Sequence, residues 1–452
     1  MILTETISGK ISNFVVSFSY NDLPDDVIAF AKLLLLDLLG ASLAGVNTEE
    51  GRAVKKALLA ISGGGRASVW RSGFFSTPVH AAFANGTIAH AQELDDFNGC
   101  DHSGAVVIPA IFAIAQSEES LDGKRLLESM VLGYEFGVRA LDVFGGYRMH
   151  NNAGWHSTGT CGSIGSAIAS AKMLELNQVQ TQNAIGLAGN MMAGTWSFLA
   201  DGSMSKRTNA GKAAENGVAS AYLARSGLSG PSQVFEAEWG GVFNTYCSKP
   251  VYPDQFFKGL GETFGLMRSG IKPYASCRGA HSATDSALKL REKIGDYQSI
   301  EKIRIRCSKA NFRTLGNIDP NTRLAAQMSL PYCAASSFVF GSCSLEDFEE
   351  PKFSDPTLRR FLNRISIVED ESLAGETPAI VEVSLNSGEL LSDQTMVALG
   401  DPNNQMSVQQ IEEKFLRLAA RSLDSASAEK LRNSVFEIDR VGAFASILEI
   451  LK

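Results

Sequence analysis

The sequence predicts a mainly α-helical fold, in which a large all-α bundle domain is interrupted by a smaller α+β domain. Long segments before residue 271 carry apolar residues at helical spacing, many of them Gly, Ala and Ser. Alternating, strand-like patterns are confined to residues 299–396, and the pattern is helical again from residue 407. We therefore expect one domain from residues 1–271 with 400–452, and a second from residues 272–399.

Helical elements are predicted from apolar periodicity and from the breakers that bound it. Residues 27–45 are apolar almost all round, which is typical of a helix buried on most sides. Small residues recur at helical spacing in three later segments and would allow helix axes to approach closely. The predicted helices of the bundle are residues 27–45, 49–61, 76–95, 104–115, 121–143, 159–176, 183–195, 209–227 and those after 407, and the α+β domain adds residues 281–293 and 323–340.

Strands are predicted where side chains alternate or are β-branched. Residues 67–70 form a short extended piece after the run Gly63-Gly64-Gly65. In the α+β domain, the strands are residues 299–307 and 365–368, and residues 379–385 and 389–396 flank an Asn-Ser-Gly turn signal and so predict a hairpin.

Composition and charge indicate which partners and which cellular compartment are expected for this protein. The 452 residues carry a formal net charge of −8, which argues against a nucleic-acid partner. Seven cysteines occur without a C-x-x-C pair, as in a cytoplasmic protein with reduced thiols. The start MILTETISGKISNF shows no secretory signal pattern, and the apolar run at residues 105–115 is shorter than the roughly 20 residues of a membrane helix. We expect a cytoplasmic location and no membrane partner.

An acidic stretch, AHAQELDDFNGCDHSGAVVIP at residues 89–109, lies between two apolar helical patterns. Burying such groups costs free energy unless they are paired. The stretch is therefore either a solvated helix–helix loop or part of a functional site. Its candidate residues are Glu93, Asp95, Asp96, Asp101 and His102.

Six histidines occur, and two of them, His80 and His90, lie inside a small-residue helical pattern that favours a structural role. Others stand in polar company where a helix is predicted to begin, which favours proton transfer over simple capping. The candidates of this kind are His102, His150, His156 and His281.

Basic residues provide candidate anion ligands. Lys206 and Arg207 stand near a predicted helix start, where backbone N–H groups and the helix dipole also favour an anion. Lys272 and Arg278 precede another helix. The alternative is an ordinary solvated pair. Together with the histidines, these cations predict a site for a small polycarboxylate, in which cations bind carboxylates and imidazoles move protons.

Other chemistries find less support in the sequence. A glycine-rich nucleotide loop would need a preceding strand and a later acidic residue, and residues 159–165 have neither. No G-x-S-x-G nucleophile motif occurs. The stretch ELDDFNGCDH lacks the spacing of zinc helices and of calcium loops, so we expect no metal and no other cofactor.

Five segments in order resemble the MmgE/PrpD family, whose members include 2-methylcitrate dehydratase, cis-aconitate decarboxylase and iminodisuccinate epimerase. The segments are FANGTIAHAQELDD with HSGAVVIPA, GWHSTGTCGSIGSAIASAKMLEL, DGSMSKRTNAGKAAENG, KPYASCRGAHSATDSAL and TRLAAQMSLPYCAA. The resemblance implies a helical domain built from both chain ends, an inserted α+β domain, a homodimer and an active site between the domains. It places the functional histidines at His102, His156 and His281, the functional lysine at Lys206, and carboxylates at Glu93, Asp95 and Asp96.

This sequence departs from the family pattern at the acidic stretch. Members often read L-D-F-D-D-T, with Asp where Glu93 stands and Thr where Phe97 stands. The loop is also shorter here, and the proline between the histidine and Ser103 is absent. Because Glu reaches further than Asp and Phe97 has no hydroxyl group, both changes are expected to alter the pocket, and the exact substrate of a family member is not carried over to this chain.

The expected activity is that of a cofactor-independent lyase acting on a citrate-like di- or tricarboxylate, with dehydration favoured. Lys206, Arg207, Lys272 and Arg278 would bind carboxylates, while the histidines act as base and acid. Three alternatives stay open: decarboxylation of a cis-aconitate-like substrate, epimerisation by two bases, and an inactive relative that only binds anions.

Overall fold

The computed structural model describes residues 5–247, 250–373 and 378–452, so the first four residues of the N-terminal segment lie outside the described part. The described chain is mainly α-helical, as predicted. Its helices are α1 Ile7–Ser17, α2 Asp25–Gly45, α3 Glu49–Ile61, α4 Pro78–Ala89, α5 Ser103–Ser117, α6 Gly123–Val143, α7 Gly146–Asn152, α8 Ser157–Met173, α9 Gln178–Met191, α10 Ser205–Arg225, α11 Val242–Thr245, α12 His281–Ile294, α13 Lys309–Leu315, α14 Arg323–Gln327, α15 Leu330–Phe340, α16 Pro356–Leu362, α17 Val408–Ala419, α18 Ser425–Phe436 and α19 Ala443–Leu451.

Helix α2 is the apolar helix of the N-terminal region and lies against α4 and α17. By length and composition it could cross a membrane, but 72% of its most apolar window is buried inside the protein. A core helix of this kind is apolar all round because it meets other helices on most sides.

The small residues of the bundle allow close helix contacts. A Cβ atom added at Gly165 in α8 would lie 2.4 Å from the carbonyl oxygen of Gly133 in α6. One added at Gly211 in α10 would lie 2.3 Å from the carbonyl oxygen of Phe83 in α4. Larger side chains would force these helices apart, so the glycines have a packing role that offsets their poor helix propensity.

Strands are observed at all the predicted positions, and a further strand at Phe74–Ser76 was not predicted. A short hairpin joins β1 (Ala67–Val69) to β2 (Phe74–Ser76). The larger sheet has the order β4-β3-β5-β6, with β3 and β4 parallel and the other pairs antiparallel. Its strands are β3 Ile300–Cys307, β4 Ile365–Glu369, β5 Ala379–Leu385 and β6 Leu390–Thr395.

Two predicted helices divide or end inside their predicted range, and the helix predicted over 183–195 is observed at Gln178–Met191. The helix predicted over 323–340 is divided, because Ser329 caps α15 through the N–H of Tyr332 and Pro331 lies in its first turn. The helix predicted over 76–95 ends at Ala89, and Glu93 has a φ of 57°, which a helix does not allow. The early end releases residues 90–102 as a loop, which we call the acidic loop.

Two large hydrophobic clusters, beside two small ones, make up most of the core of the described residues. The larger cluster is built from α1, α2, α5, α6, α8 and the C-terminal helices, and the smaller from the sheet with α12 and α15. The acidic loop contributes Cys100 to the larger cluster and Leu94 to the smaller one. This loop therefore lies where the two cores meet.

Candidate active site

The side chains predicted to carry chemistry come from the acidic loop and from helix starts around it. His102 and His156 immediately precede α5 and α8, and Lys206 lies in the first turn of α10. Lys272 lies in the segment that leads to α12. All four are at most 3% exposed. A helix start adds backbone N–H groups that attract negative charge, so these positions suit an anion site.

One carboxylate gathers three cations. Glu93 accepts from Lys206 Nζ at 2.5 Å and from Lys272 Nζ at 3.1 Å, and it also pairs with Arg207 Nη1. We call these four residues the cation group. Three positive charges against one negative charge leave a net charge of +2, which is available to a bound anion.

The ion pairs fix the charges of this group. Burial alone would raise the pKa of Glu93, but Lys206, Lys272 and Arg207 hold it well below its ordinary value. Burial likewise lowers the pKa of Lys272, yet the carboxylates of Glu93 and Asp95 raise it above its ordinary value. Both side chains are therefore ionised at neutral pH.

A second group surrounds two other carboxylates of the acidic loop. Asp95 accepts from His90 Nδ1 at 2.9 Å and lies 3.0 Å from His102 Nδ1, which also donates to the backbone carbonyl of Asp96 at 3.0 Å. Asp101 lies between the other imidazole nitrogens, with Oδ1 3.5 Å from His102 Nε2 and Oδ2 3.1 Å from His156 Nε2. We call these five residues the imidazole group. Within this group, Asp95 orients the His102 ring from Nδ1, and Asp101 faces Nε2, the nitrogen available for proton transfer.

The imidazoles of this group differ in protonation. Burial lowers the pKa of His102, but Asp101 and Asp95 outweigh burial and raise it above 6.5. For His156, burial prevails over the Asp101 contacts, and the pKa falls. Burial also lowers the pKa of His90 to about 3. The group thus holds His102 as the readiest proton donor beside neutral imidazoles.

Polar partners outside both groups hold these side chains. Asn209 Nδ2 donates to His156 Nδ1 at 2.9 Å, which leaves the His156 proton on Nε2. Gln327 accepts from Arg207 Nη2 at 3.4 Å and donates to the carbonyl of Gln92 at 3.1 Å. Since Gln327 lies in α14, the smaller core helps to fix the cation group.

Phe97 joins the acidic loop to the segment that carries Lys272. Its backbone pairs with Gly270 in both directions, at 3.1 and 2.9 Å. The guanidinium group of Arg278 stacks over its ring at 4.6 Å from the centroid. Phe97 therefore packs at the junction, and the larger side chain anchors the shortened loop.

Three predicted site residues have partners outside both groups. Asp96 accepts the N–H of Gly104 at 2.9 Å, which satisfies the start of α5, and burial raises its pKa to about 7. Arg278 pairs with Asp401 at 2.9 Å. His281 Nε2 donates to the carbonyl of Ser276, and its Nδ1 has no hydrogen-bond partner among the described side chains. The roles predicted for these three residues stay predictions.

The sequence did not single out some members of the site. His90 was predicted to be structural, yet it shares Asp95 with His102. Asp101 was noted in the loop without a role, and Asn209 and Gln327 were passed over. A signal was present for two of them, because Asp101 precedes His102 directly and Asn209 follows Lys206 by three residues.

Metal donors also occur here among the described residues. Two sets bring their ligand atoms within 4.8 Å of one another: His90 with Asp95 and His102, and Asp101 with His102 and His156. In the first set, the carboxylate is already hydrogen-bonded to both Nδ1 atoms. In the second, the carboxylate faces two Nε2 atoms.

In a mainly helical protein, buried imidazoles beside an excess of cations are the groups that a site for binding an anion and moving protons requires. The comparisons with known proteins then give the family. Residues 9–254 match the MmgE/PrpD N-terminal domain and residues 274–439 match the MmgE/PrpD C-terminal domain. The chain belongs to the MmgE/PrpD family.

Characterised relatives align along most of the chain. A cis-aconitate decarboxylase-like protein of Aspergillus oryzae is 28% identical over 98% of this chain and 97% of its own length. The human cis-aconitate decarboxylase is 24% identical over 100% of this chain and 95% of its own length. A mitochondrial 2-methylcitrate dehydratase of Yarrowia lipolytica is 23% identical over 80% of this chain and 74% of its own length.

Proposed function

We propose that this protein is a lyase for a citrate-like tricarboxylate, and that its reaction is decarboxylation of a cis-aconitate-like substrate. The sequence alone favoured dehydration. The relatives that align with almost the whole chain carry the name cis-aconitate decarboxylase, which favours loss of CO2. Both reactions build negative charge on carbon beside a carboxylate, and both need the same two groups of side chains.

The observation that carries the proposal is the position of His102 between Asp95 and Asp101, on the loop that also supplies Glu93. A protonated imidazole held by two carboxylates is a proton donor at neutral pH. The +2 charge of the cation group attracts the remaining carboxylates of the substrate. Buried cations act more strongly than solvated ones, because little water screens them.

The proposed reaction follows from these charges. Substrate carboxylates share Lys206, Arg207 and Lys272 with Glu93. The bond between carbon and the departing carboxylate breaks, and its electron pair passes to the conjugated system, where the cations stabilise the enolate. His102 then gives its Nε2 proton to carbon. The products are CO2 and a dicarboxylate that carries the new proton on carbon, and a proton from solvent then restores protonated His102.

Dehydration is the second candidate, and the alignment with 2-methylcitrate dehydratase favours it. It requires a base for the carbon-bound proton and an acid for the leaving hydroxyl group. Buried His281 has a pKa held well below 6.5 by burial and by Arg278, so it would be the unprotonated partner of His102. Epimerisation would need bases on opposite faces of the carbon atom.

We also propose the wider organisation implied by the sequence. The larger core would be a domain of residues 1–271 with 400–452, and the smaller one a domain of residues 272–399. Membership of the two hydrophobic clusters supports this division. A homodimer in the cytoplasm is the proposed assembly and location.

The test supplies cis-aconitate, 2-methylcitrate and citrate to the purified protein in heavy water. Decarboxylation predicts CO2 release from cis-aconitate and deuterium at one carbon of the product. An enoate absorbance formed from 2-methylcitrate would instead establish dehydration. Stabilisation against heat by several of these anions, without any turnover, would leave the anion-binding alternative.

A further inference from the structure

We propose that Asp101, His102 and His156 form a binding site for one divalent transition-metal ion of the zinc class. Spacing within the acidic loop does not predict this site, because His156 comes from the start of α8, 54 residues after His102. The site goes beyond the proposed function, which uses no metal.

The three donor groups converge at distances suited to a shared ion. Asp101 oxygens lie 3.1 Å from His156 Nε2 and 3.5 Å from His102 Nε2. Zinc binds nitrogen and oxygen at about 2.0–2.2 Å, so neighbouring ligand atoms lie roughly 3.0–3.5 Å apart in tetrahedral or octahedral sites. The two separations that involve Asp101 fall in that range, and all three ligand atoms lie within 4.8 Å of one another.

Both imidazoles are held from behind, as metal-binding histidines usually are. Nδ1 of His102 donates to the carbonyl of Asp96 and faces Asp95, each at 3.0 Å, so the lone pair of Nε2 is turned toward Asp101 when the ring is neutral. Asn209 lies 2.9 Å from Nδ1 of His156. Rotation of the Asn209 amide by half a turn would let its oxygen accept from Nδ1, and His156 would then offer Nε2 to an ion.

The ligand set also indicates which ions would bind. Two imidazoles and one carboxylate suit zinc, cobalt, nickel or copper, whereas magnesium and calcium prefer oxygen ligands. The Asp101 side chain is 11% exposed, and the other two are at most 4% exposed. One face of the ion would therefore remain open to water or to a substrate carboxylate.

The surrounding charges set the strength of the site. The positive charge of Lys206 lowers the pKa of both Asp101 and His156, and the same charge repels a bound cation. Asp95 behind His102 favours the cation. His90 contributes a neutral ring whose centroid lies 4.1 Å from that of His102, with the two ring planes tilted by 48°. These opposing charges predict reversible binding that a chelator can undo.

Occupancy would have a consequence that rests on the proposed function. A metal ion on Nε2 of His102 removes the proton that this nitrogen would donate. Zinc is therefore expected to inhibit turnover, and a chelator to restore it. Binding itself needs no turnover, so the site can be tested whether or not the reaction is the proposed one.

The experiment titrates chelator-treated full-length protein with Co²⁺ and follows the visible absorption of the bound ion, then displaces it with Zn²⁺. We expect one equivalent for the wild type. Asp101→Asn should weaken binding at least tenfold, and His156→Gln should do the same. His80→Gln, which alters a histidine outside both groups, should bind as the wild type does.

The proposal would be overturned if the wild type showed no saturable binding, or if Asp101→Asn bound with unchanged affinity. It would also be overturned if His90→Asn lost binding while Asp101→Asn and His156→Gln kept it, because the ion would then lie on the other donor set. Asn tolerates the positive φ of 94° at residue 101, so Asp101→Asn should fold. Electron paramagnetic resonance of Cu²⁺ on the wild type gives a readout without variants. Two nitrogen ligands are expected for this donor set and for the set that contains His90, which the His90→Asn variant distinguishes, and any other number contradicts the proposal.

Discussion

The cation group and the imidazole group both use carboxylates of the acidic loop, but they differ in the balance of charge around those carboxylates. Around Glu93, three cations share one carboxylate, so positive charge is in excess. Around Asp95 and Asp101, carboxylates face imidazoles of which His102 alone has a raised pKa. One group is suited to hold an anion, and the other is suited to hold and release a proton.

The difference shows how a short loop can serve both tasks. Glu93 and Asp101 both have positive φ angles, 57° and 94°, which are uncommon for residues other than glycine. Such conformations persist where the surrounding structure holds them. Here ion pairs hold Glu93, and two imidazoles flank Asp101. The loop conformation is thus coupled to the charges it presents.

The largest effect should follow loss of the proton donor. His102→Gln keeps a hydrogen-bonding side chain of similar length but cannot donate the same proton, so kcat should fall by about 10²–10⁴-fold. Steady-state kinetics measure this fall in kcat, with whichever carboxylate the heavy-water assay shows to be turned over. The matched control is His80→Gln, which should keep kcat. Equal activity of the two variants would contradict the role of His102.

A smaller effect is expected when the cation group loses one charge. Lys206→Met changes its net charge from +2 to +1, and KM for a tricarboxylate should rise about 10–100-fold, since each tenfold is about 1.4 kcal/mol. Glu93→Gln in the same chain returns the charge to +2 and should recover part of the affinity. No recovery in the double variant would argue against the charge balance.

The pH profile should separate the two groups further. Asp95 raises the pKa of His102, so Asp95→Asn should move the alkaline limb of kcat to lower pH. In the wild type, the stability gained from protonated His102 is present below 6.5 and is lost as pH rises through its higher folded pKa. An unmoved limb with a lower melting temperature would assign Asp95 a purely structural role.

The smallest expected effect lies behind the site, at Asp96. Its pKa is raised from 3.8 to about 7 by burial and by Asp95, so the folded protein keeps a proton that the unfolded chain releases. The stability from this group therefore falls as pH rises between those values. Asp96→Asn cannot ionise, so its melting temperature relative to the wild type should rise by a few degrees from about pH 5 to about pH 8. A constant difference would contradict this account.

The helices predicted over residues 323–340 and 76–95 show where a local apolar pattern fails to predict a helix boundary. Ser329 and Pro331 together carried the signal for a new helix start, but the apolar pattern ran across them. At residues 90–95 the apolar helical pattern also continued, but the helix ends at Ala89 and Glu93 forms ion pairs with cations from distant segments. A local pattern cannot include a partner such as Lys206, which lies 113 residues from Glu93.

The sequence by itself determined the mainly helical fold, the small-residue helices of the bundle, the strands of the sheet and the residue types of the site. These follow from periodicity and turn chemistry, which act over a few residues. Tertiary structure alone decided that Glu93 pairs with three cations, that Asp101 lies between two imidazoles, and that the pKa of His102 is raised while the pKa values of His90 and His156 fall. Those outcomes depend on burial and on charges brought together from distant segments, and both exist only once the chain has folded.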